Sequence, residues 1–468
     1  MFLSWLCQDD SVTNVSRALP QVWPGMDTFT IFASHGHNTF TTLMWCGVTI
    51  LTIVVVQQIW SLLFTPLDRV KRAADVGWSF LINDKNQSFW SKIFGGHRKP
   101  RGRDVAASVR RLEQLRRAGS LPPVYPNGWF AVAESRALKP GQVRQVQALG
   151  QTLAVYRGAG GAVWALDAHC PHLGADMAVG GAVKGDCLEC PFHGWQFRGQ
   201  DGACTVIPYA KKIPDVAKVR HWETQETNGF VFVWHDAEGR PPQWRVPEVA
   251  AVATREWRYR GRTEHEVLAH IQEIPENGAD IAHLGHLHVP SVFKGADLFS
   301  VFSSNTFLDV AKHEWRGVWS PMEGEDSHVA TVNIEHAFNL KPGGLRLFKM
   351  TVQALQIGPG LVHLHLNTTL GKGVLVQTVT PLAPLKQKIV HHLYSAPTFV
   401  APFAKFVLHS EACHLERDIM IWNSKQYMSR PLLVAEDKLI KKFRTWYRQF
   451  YSPNSPTAES VASSDLDW

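Results

Sequence analysis

Apolar positions along this chain fall into three textures. The first is an unbroken run. No Asp, Glu, Lys or Arg occurs from Thr28 to Leu67, and its centre, Thr41–Phe64, exceeds the roughly 20 residues that cross a hydrocarbon core. This predicts a transmembrane helix over 41–64, with Gln57 and Gln58 tolerable near its end; a buried core helix is the alternative. The second texture begins at Tyr125, where short β-rich runs (GWFAVA, QTLAVYRG, AVWALDA, GFVFVWHD) alternate with Gly, Pro and Asn. They predict a small all-β unit closing near His235. The third follows the proline-marked EGRPPQWRVPE (238–248). There, strand patterns such as VATVNIEHAFNL and LVHLHLNTTL mix with helical stretches expected at 264–288 and 381–428, an α+β arrangement.

These textures divide the chain into a short leader (1–40), the transmembrane helix (41–64), a basic connector (65–124), the all-β domain (125–240), the α+β domain (241–450) and a tail (451–468). The Ser/Pro-rich tail is expected to be disordered. Within the connector, Asp104 as N-cap, the stripe Val105, Val109, Leu112 and Leu115, and Gly119 as a stop predict a short helix. The length, 468 residues, exceeds what one core usually accommodates. Apolar residues at 45% and charged ones at 19% exclude a wholly disordered chain and a coiled coil.

Charge sharpens the picture. The net +7 is uneven: Arg69, Lys71, Arg72, Arg98, Lys99, Arg101 and Arg103 follow the apolar run, whereas Asp9, Asp10, Asp27 and Arg17 precede it. The positive-inside rule then places the C-terminal body in the cytosol, as in a single-pass protein of the endoplasmic reticulum membrane. The basic stretch suits anionic lipid headgroups, and nucleic acid is not an expected partner. Seven cysteines are too few and too scattered for a disulfide scaffold.

Two constellations carry chemistry. In the β unit, Cys170-Pro-His172 and Cys190-Pro-Phe-His193 each set a thiolate and an imidazole on one tight loop. Gly174, Gly180, Gly181 and Gly194, with Pro171 and Pro191, let those loops turn sharply. Two thiolates and two neutral imidazoles form the ligand set of a Rieske [2Fe–2S] centre; zinc fingers, the alternative, space paired ligands more widely than Cys-x-His. Downstream, EIPENGADIAHLGHLHVP (273–290) gathers Asn277, Asp280, His283, His286 and His288. Two histidines and a carboxylate on one face of Fe(II) leave positions open for O2. Helix geometry favours His283 with His286, which share a face; His283 and His288 converge only if the helix ends between them. The carboxylate is open among Glu411, Glu416 and Asp418. The chain holds 22 histidines, so incidental clustering is the bland alternative.

Cys170-Pro-His172-Leu-Gly-Ala and Cys190-Pro-Phe-His193-Gly-Trp resemble the Rieske motif of the non-haem iron oxygenases. Ala175 and Phe192 stand where respiratory Rieske proteins carry an additional cysteine pair, which favours the oxygenase branch. The resemblance runs from about Gly128 to about Lys425. It implies an all-β Rieske domain followed by a helix-grip-like α+β catalytic domain with an antiparallel sheet. It matches Asp280, His283 and His288 to the oxygenase Asp-x-x-His-x-x-x-x-His, and Asp418 to the aspartate before a hydrophobic-Trp step at Trp422, so that His283, His288 and Asp418 would hold mononuclear Fe(II). His286 stays as the alternative to His288. It also implies a head-to-tail homotrimer in which Asp280 bridges His193 of one subunit to His283 of the next. Asn277 and Asp280 are then the catalytic candidates beside the iron.

One N-terminal anchor before such a body resembles the Neverland-type cholesterol 7-desaturases of animals. That likeness implies O2-dependent desaturation of cholesterol at C7–C8 to 7-dehydrocholesterol, with electrons from NAD(P)H through a separate reductase. No Gly-rich dinucleotide fingerprint follows a strand in this chain. A steroid monooxygenase of the 3-ketosteroid 9α-hydroxylase type is the alternative.

Overall fold

The computed structural model describes residues 28–78, 107–111, 120–302, 311–340 and 345–464. It divides into two units, Met1–Leu62 and Leu63–Trp468. In the first, one helix spans Thr28–Phe64. Its Thr41–Phe64 stretch has a mean hydropathy of 1.9 and is buried nowhere. Leu43, Ile50, Ile53 and Trp60 all stand exposed on it, an apolar surface on every side of the helix. It is the one helix among the described residues long and apolar enough to cross a membrane. The helix begins at Thr28, thirteen residues ahead of that stretch.

The second unit opens with β1 (Leu67–Lys71). Three small antiparallel sheets follow, built from β2 (Gly128–Glu134), β3 (Val143–Ala148), β4 (Gln151–Arg157), β5 (Val163–Asp167), β6 (Ala182–Lys184), β7 (Cys187–Glu189), β8 (Gln196–Arg198), β9 (Cys204–Val206), β10 (His221–Trp222), β11 (Thr224–Thr227) and β12 (Phe230–His235). Their orders are β10-β5-β4-β3, β11-β12-β2 and β6-β7-β8-β9. An eight-stranded sheet completes the unit: β13 (Arg258–Val267), β14 (Ala311–Pro321), β15 (Val329–Leu340), β16 (Leu345–Ile357), β17 (Leu361–Thr368), β18 (Gly371–Ala383) and β19 (Lys386–Ser395), with β1 at one edge. The order is β1-β13-β19-β18-β17-β16-β15-β14. Every pairing is antiparallel except β1 with β13. The long helix Ala401–Trp422 and the helix Lys438–Tyr447 pack on one face of this sheet. Ala404 and Leu408 meet Leu366, Leu375 and Leu393, and Phe443 and Tyr447 meet Ala330, Val332 and Ala354.

Four sequence expectations change. Residues 264–288 are not one helix: β13 runs to Val267, and only Glu273–Glu276 and Ile281–Leu287 are α-helical. The stretch 381–428 is strand as far as Ser395, because β19 is buried along almost its whole length and so lacks the alternation that marks a half-exposed strand. The expected connector contributes β1, and Ala73, Val76 and Trp78 just beyond it are buried. The tail is not wholly disordered. Pro456 accepts a 2.8 Å hydrogen bond from the Val124 amide, a helix covers Ala458–Ser464, and Val461 packs on the core. Of the helix expected after Asp104, residues 107–111 are helical with Val109 buried; Asp104, Val105, Leu112, Leu115 and Gly119 lie outside the described residues. Across the expected boundary at 238–248, Phe130 and Val132 of β2 share one core with Val267, Val379 and Ile389.

Candidate metal centres

The first centre is made by two loops with the same backbone closure. The Cys170 amide donates to the Ala175 carbonyl and Gly174 returns a bond to the Cys170 carbonyl, both 2.9 Å. The Cys190 amide likewise donates to Trp195 (2.8 Å), and Gly194 donates to Cys190 (3.1 Å). Each closing glycine is left-handed, φ +74° at Gly174 and +72° at Gly194, a conformation that costs a side-chain-bearing residue about 1–2 kcal/mol. The loops face each other, with the His172 and His193 rings 4.7 Å apart. Both cysteines are buried. Burial pushes the Cys170 thiol up to about 11, so the thiolate needs a cation beside it; metal binding supplies one and releases the proton. Trp195, the last residue of the second motif, stacks on His172 at 4.7 Å and 8° and donates its Nε1–H to the Tyr209 hydroxyl at 2.9 Å. Around the half-buried imidazoles Leu173, Val179, Phe192 and Tyr209 stand more than 60% exposed.

The second centre joins distant segments. The side chain of Asp280 caps the Ile281–Leu287 helix by accepting the His283 amide at 3.2 Å. The Asp280 carbonyl also accepts from His283 Nδ1, leaving Nε2 free. The helix ends at Leu287 and His288 occupies its C-cap, two residues before Pro290. That ending turns His288 back towards His283, their rings 5.1 Å apart. Asp418 arrives from the Ala401–Trp422 helix with Oδ1 3.2 Å from His288 Nε2. One donor atom from each of His283, His288 and Asp418 lies within 4.8 Å of the others, a spacing that one ion can satisfy. Burial lowers the His283 pKa, keeping the imidazole neutral and ligand-competent. Two imidazoles and a carboxylate suit ferrous iron with open positions.

The remaining candidates sort by face. His286 is exposed and stacks on Phe302 at 5.3 Å, away from this trio. Glu416 turns to the opposite side of its helix, bonded to Arg69 (2.6 Å) and His265 (3.2 Å). Glu411 lies two turns before Asp418 on the cavity side, its pKa raised by burial. Arg417, beside Asp418 on the same helix, is fully buried. Its guanidinium donates to the carbonyls of Leu287, Pro290, Ser291 and Gly295 at 2.9–3.4 Å. It therefore clamps the turn carrying His288 to the helix carrying Asp418. No spacing rule signals a clamp made through backbone carbonyls.

Asn277, His283, His288 and Asp418 line a cavity of about 570 Å³ between helix and sheet. The other lining residues include Leu284, Val332, Ile334, Leu364, Leu366, Phe403 and Val407. Such a volume suits a small organic molecule. A second band of imidazoles borders it: His414 lies 5.0 Å from His288 and 5.2 Å from His313, and His313 Nδ1 is 2.7 Å from His336 Nε2. Burial lowers all three, so this wall is neutral.

Residues 128–220 match the Rieske [2Fe-2S] domain model, and residues 233–451 match the 3-ketosteroid 9alpha-hydroxylase C-terminal domain. The chain is 48% identical to cholesterol 7-desaturase nvd of Xenopus laevis over 80% of this chain and 82% of that one. It is 42% identical to cholesterol 7-desaturase nvd 1 of Ciona intestinalis over 89% and 84% respectively. The solved structure of a Pseudomonas putida CBB5 NdmA QL mutant with theobromine shares the fold at a TM-score of 0.52, with 18% identity over 72% of this chain and 94% of that one. At such identity and coverage, this chain belongs to the cholesterol 7-desaturase family of Rieske oxygenases.

Proposed function

We propose that this protein desaturates cholesterol at C7–C8, giving 7-dehydrocholesterol, with O2 and with NAD(P)H electrons delivered by a separate reductase. The observation that carries the reading is the trio His283, His288 and Asp418, set within 4.8 Å in the wall of a largely apolar cavity. Cys170, His172, Cys190 and His193 would hold the [2Fe–2S] centre, and His283, His288 and Asp418 the mononuclear iron. When bound, the cluster would supply single-electron transfer and the iron O2-reducing chemistry, with two electrons from NAD(P)H and the two hydrogens lost by the sterol together accounting for one O2 going to two waters. The protein's own part is positional. The cavity excludes water from the ring system, the Asp280 carbonyl fixes the tautomer of His283, and Arg417 keeps the two halves of the iron site in register.

The apolar rim of Leu173, Phe192 and Tyr209 around the cluster imidazoles suits a protein docking face. It supports a head-to-tail homotrimer in which Asp280 bridges His193 of one subunit to His283 of the next. The exposed apolar helix and the basic residues after it support single-pass anchoring in the endoplasmic reticulum with the body in the cytosol. Turnover of cholesterol with a reductase, followed by mass analysis, tests the reading: a product two mass units lighter is expected, and one sixteen units heavier would replace it with the second reading. That second reading, steroid hydroxylation, is favoured by the match of residues 233–451 to a steroid hydroxylase domain.

A further inference from the structure

We infer that the amide pair Gln356 and Gln377 is the receptor for the substrate's single hydroxyl, and so decides which ring carbon faces the iron site. The inference rests on the cholesterol reading. Gln356 on β16 stands opposite Val362 on β17, Val362 opposite Gln377 on β18, and Gln377 opposite His391 on β19. Residues directly opposite one another share a face of the sheet, and both glutamines line the cavity. On the same face, the next rows towards the mouth are Ala354, Leu364 and Leu375, then Val352 and Leu366, then Met350 and Thr368. At about 3.4 Å per residue, the floor from Gln356 to Met350 runs roughly 20 Å, room for a fused ring system with an aliphatic tail. Behind the glutamine row the face is filled: Val379 and Ile389 pack with Ile274 and Trp422 in the core. The amide pair therefore sits at the closed end.

Gln356 is 3% exposed, and its Nε2 is buried with no hydrogen-bond partner. Buried amide donors in this state are costly and normally find an acceptor. Gln377 is held from behind. Its Oε1 lies 2.8 Å from His391 Nε2, and His391 Nδ1 lies 3.0 Å from the Thr263 hydroxyl. Burial pushes the His391 pKa down to about 3, so the ring carries one proton. That proton sits on Nε2, facing Gln377, while Thr263 donates to Nδ1. The Gln377 oxygen keeps a second lone pair. A hydroxyl at this point accepts from Gln356 Nε2 and donates to Gln377 Oε1, which uses both of its roles. The pair is uncharged, so it fits a neutral alcohol rather than a sulfate or carboxylate. Trp422 marks the closed end, and Asp418 lies four residues, roughly 6 Å of helix rise, nearer the mouth. A molecule anchored by its hydroxyl then presents ring carbons to the iron site and sends its tail towards Phe293 and Phe406.

The test is equilibrium binding of radiolabelled cholesterol and of cholest-5-ene, its analogue without the hydroxyl, to the full-length holoprotein in detergent. Wild type is expected to prefer cholesterol by more than about tenfold, because a polar receptor left unpaired rejects the analogue. Gln356→Leu and Gln356→Met should bind both sterols about equally, with the iron–sulfur absorbance unchanged as the control for folding. Two variants of similar volume guard against a loss of folding in either. Equal binding by wild type, as when the row holds only water, overturns the inference and leaves the cholesterol reading standing. So does a full preference retained in both variants. If wild type binds neither sterol, the cholesterol reading itself falls, and the inference with it.

Discussion

The two metal centres are built in opposite ways. The cluster loops hold all four proposed ligands between positions 170 and 193 and fold each pair by the same local closure, a glycine amide returned to the cysteine carbonyl. The proposed mononuclear site would take two ligands from the first turn and the C-cap of one short helix and the third from a helix that begins over a hundred residues later. The first is positioned by turn chemistry, so its ligands can be read from spacing. The second is positioned by tertiary packing, and its accuracy depends on residues that are not ligands, Arg417 above all.

The contrast is sharpened most by removing ligands. Asp418→Ala or His283→Ala is expected to lower cholesterol turnover more than about 100-fold, beyond the 10–100-fold that partners outside the ligand set typically cost, while the cluster absorbance persists. Cys190→Ser should abolish that absorbance; retention of the spectrum would remove Cys190 from the ligand set.

Acid comes next. Burial holds His391 near 3 and His235, His270 and His363 near 4, below the ordinary 6.5 of an exposed imidazole. The unfolded chain therefore binds more protons between those values. Stability from these groups is full above about pH 6.5 and is lost as pH falls towards 4. Thermal melts across that window should show a falling Tm; a flat profile would mean that the imidazoles are already charged in the folded protein.

Arg417→Ala leaves several buried carbonyls without a donor and should cost about 3 kcal/mol, releasing mononuclear iron before cluster iron during a melt. Loss of both together would show that the clamp serves the whole unit. In the cluster loops, Gly194→Ala should destabilise more than Gly174→Ala. Both residues are left-handed, but a Cβ at Gly194 would meet Pro208 at 3.0 Å, whereas at Gly174 it meets open space. Equal melting points would count against the geometry of the second loop.

Asp280→Asn should change stability by less than about 0.5 kcal/mol, since Asn caps a helix as well as Asp does. A large fall in turnover in that variant would therefore belong to the charge, as bridging between subunits requires.

The sequence carried the β unit and its ligands because Gly and Pro punctuate it and each strand is short. It carried β15 and β17 because their apolar pattern is strand-like. It misread β19, whose burial on both faces removes the alternation on which strand recognition depends, and the end of β13, where the alternating buried residues Thr263, His265 and Val267 are mostly polar in type. At the iron site, helix periodicity alone pointed to His286; the end of the helix at Leu287 redirects the pairing to His288, and Pro290 was the one local sign of it. Among Glu411, Glu416 and Asp418 only packing decides, since Glu416 is taken by Arg69 and His265. The closed-end glutamines were invisible because their meaning lies in register across three strands.

The proposed chemistry requires that His283, His288 and Asp418 hold one iron separate from the cluster. Anaerobic iron and sulfide quantitation of wild type and Asp418→Ala addresses this directly. About three irons and two sulfides per chain are expected in wild type, and about two of each in the variant. A variant that keeps its third iron, or a wild type with only two irons, would contradict it.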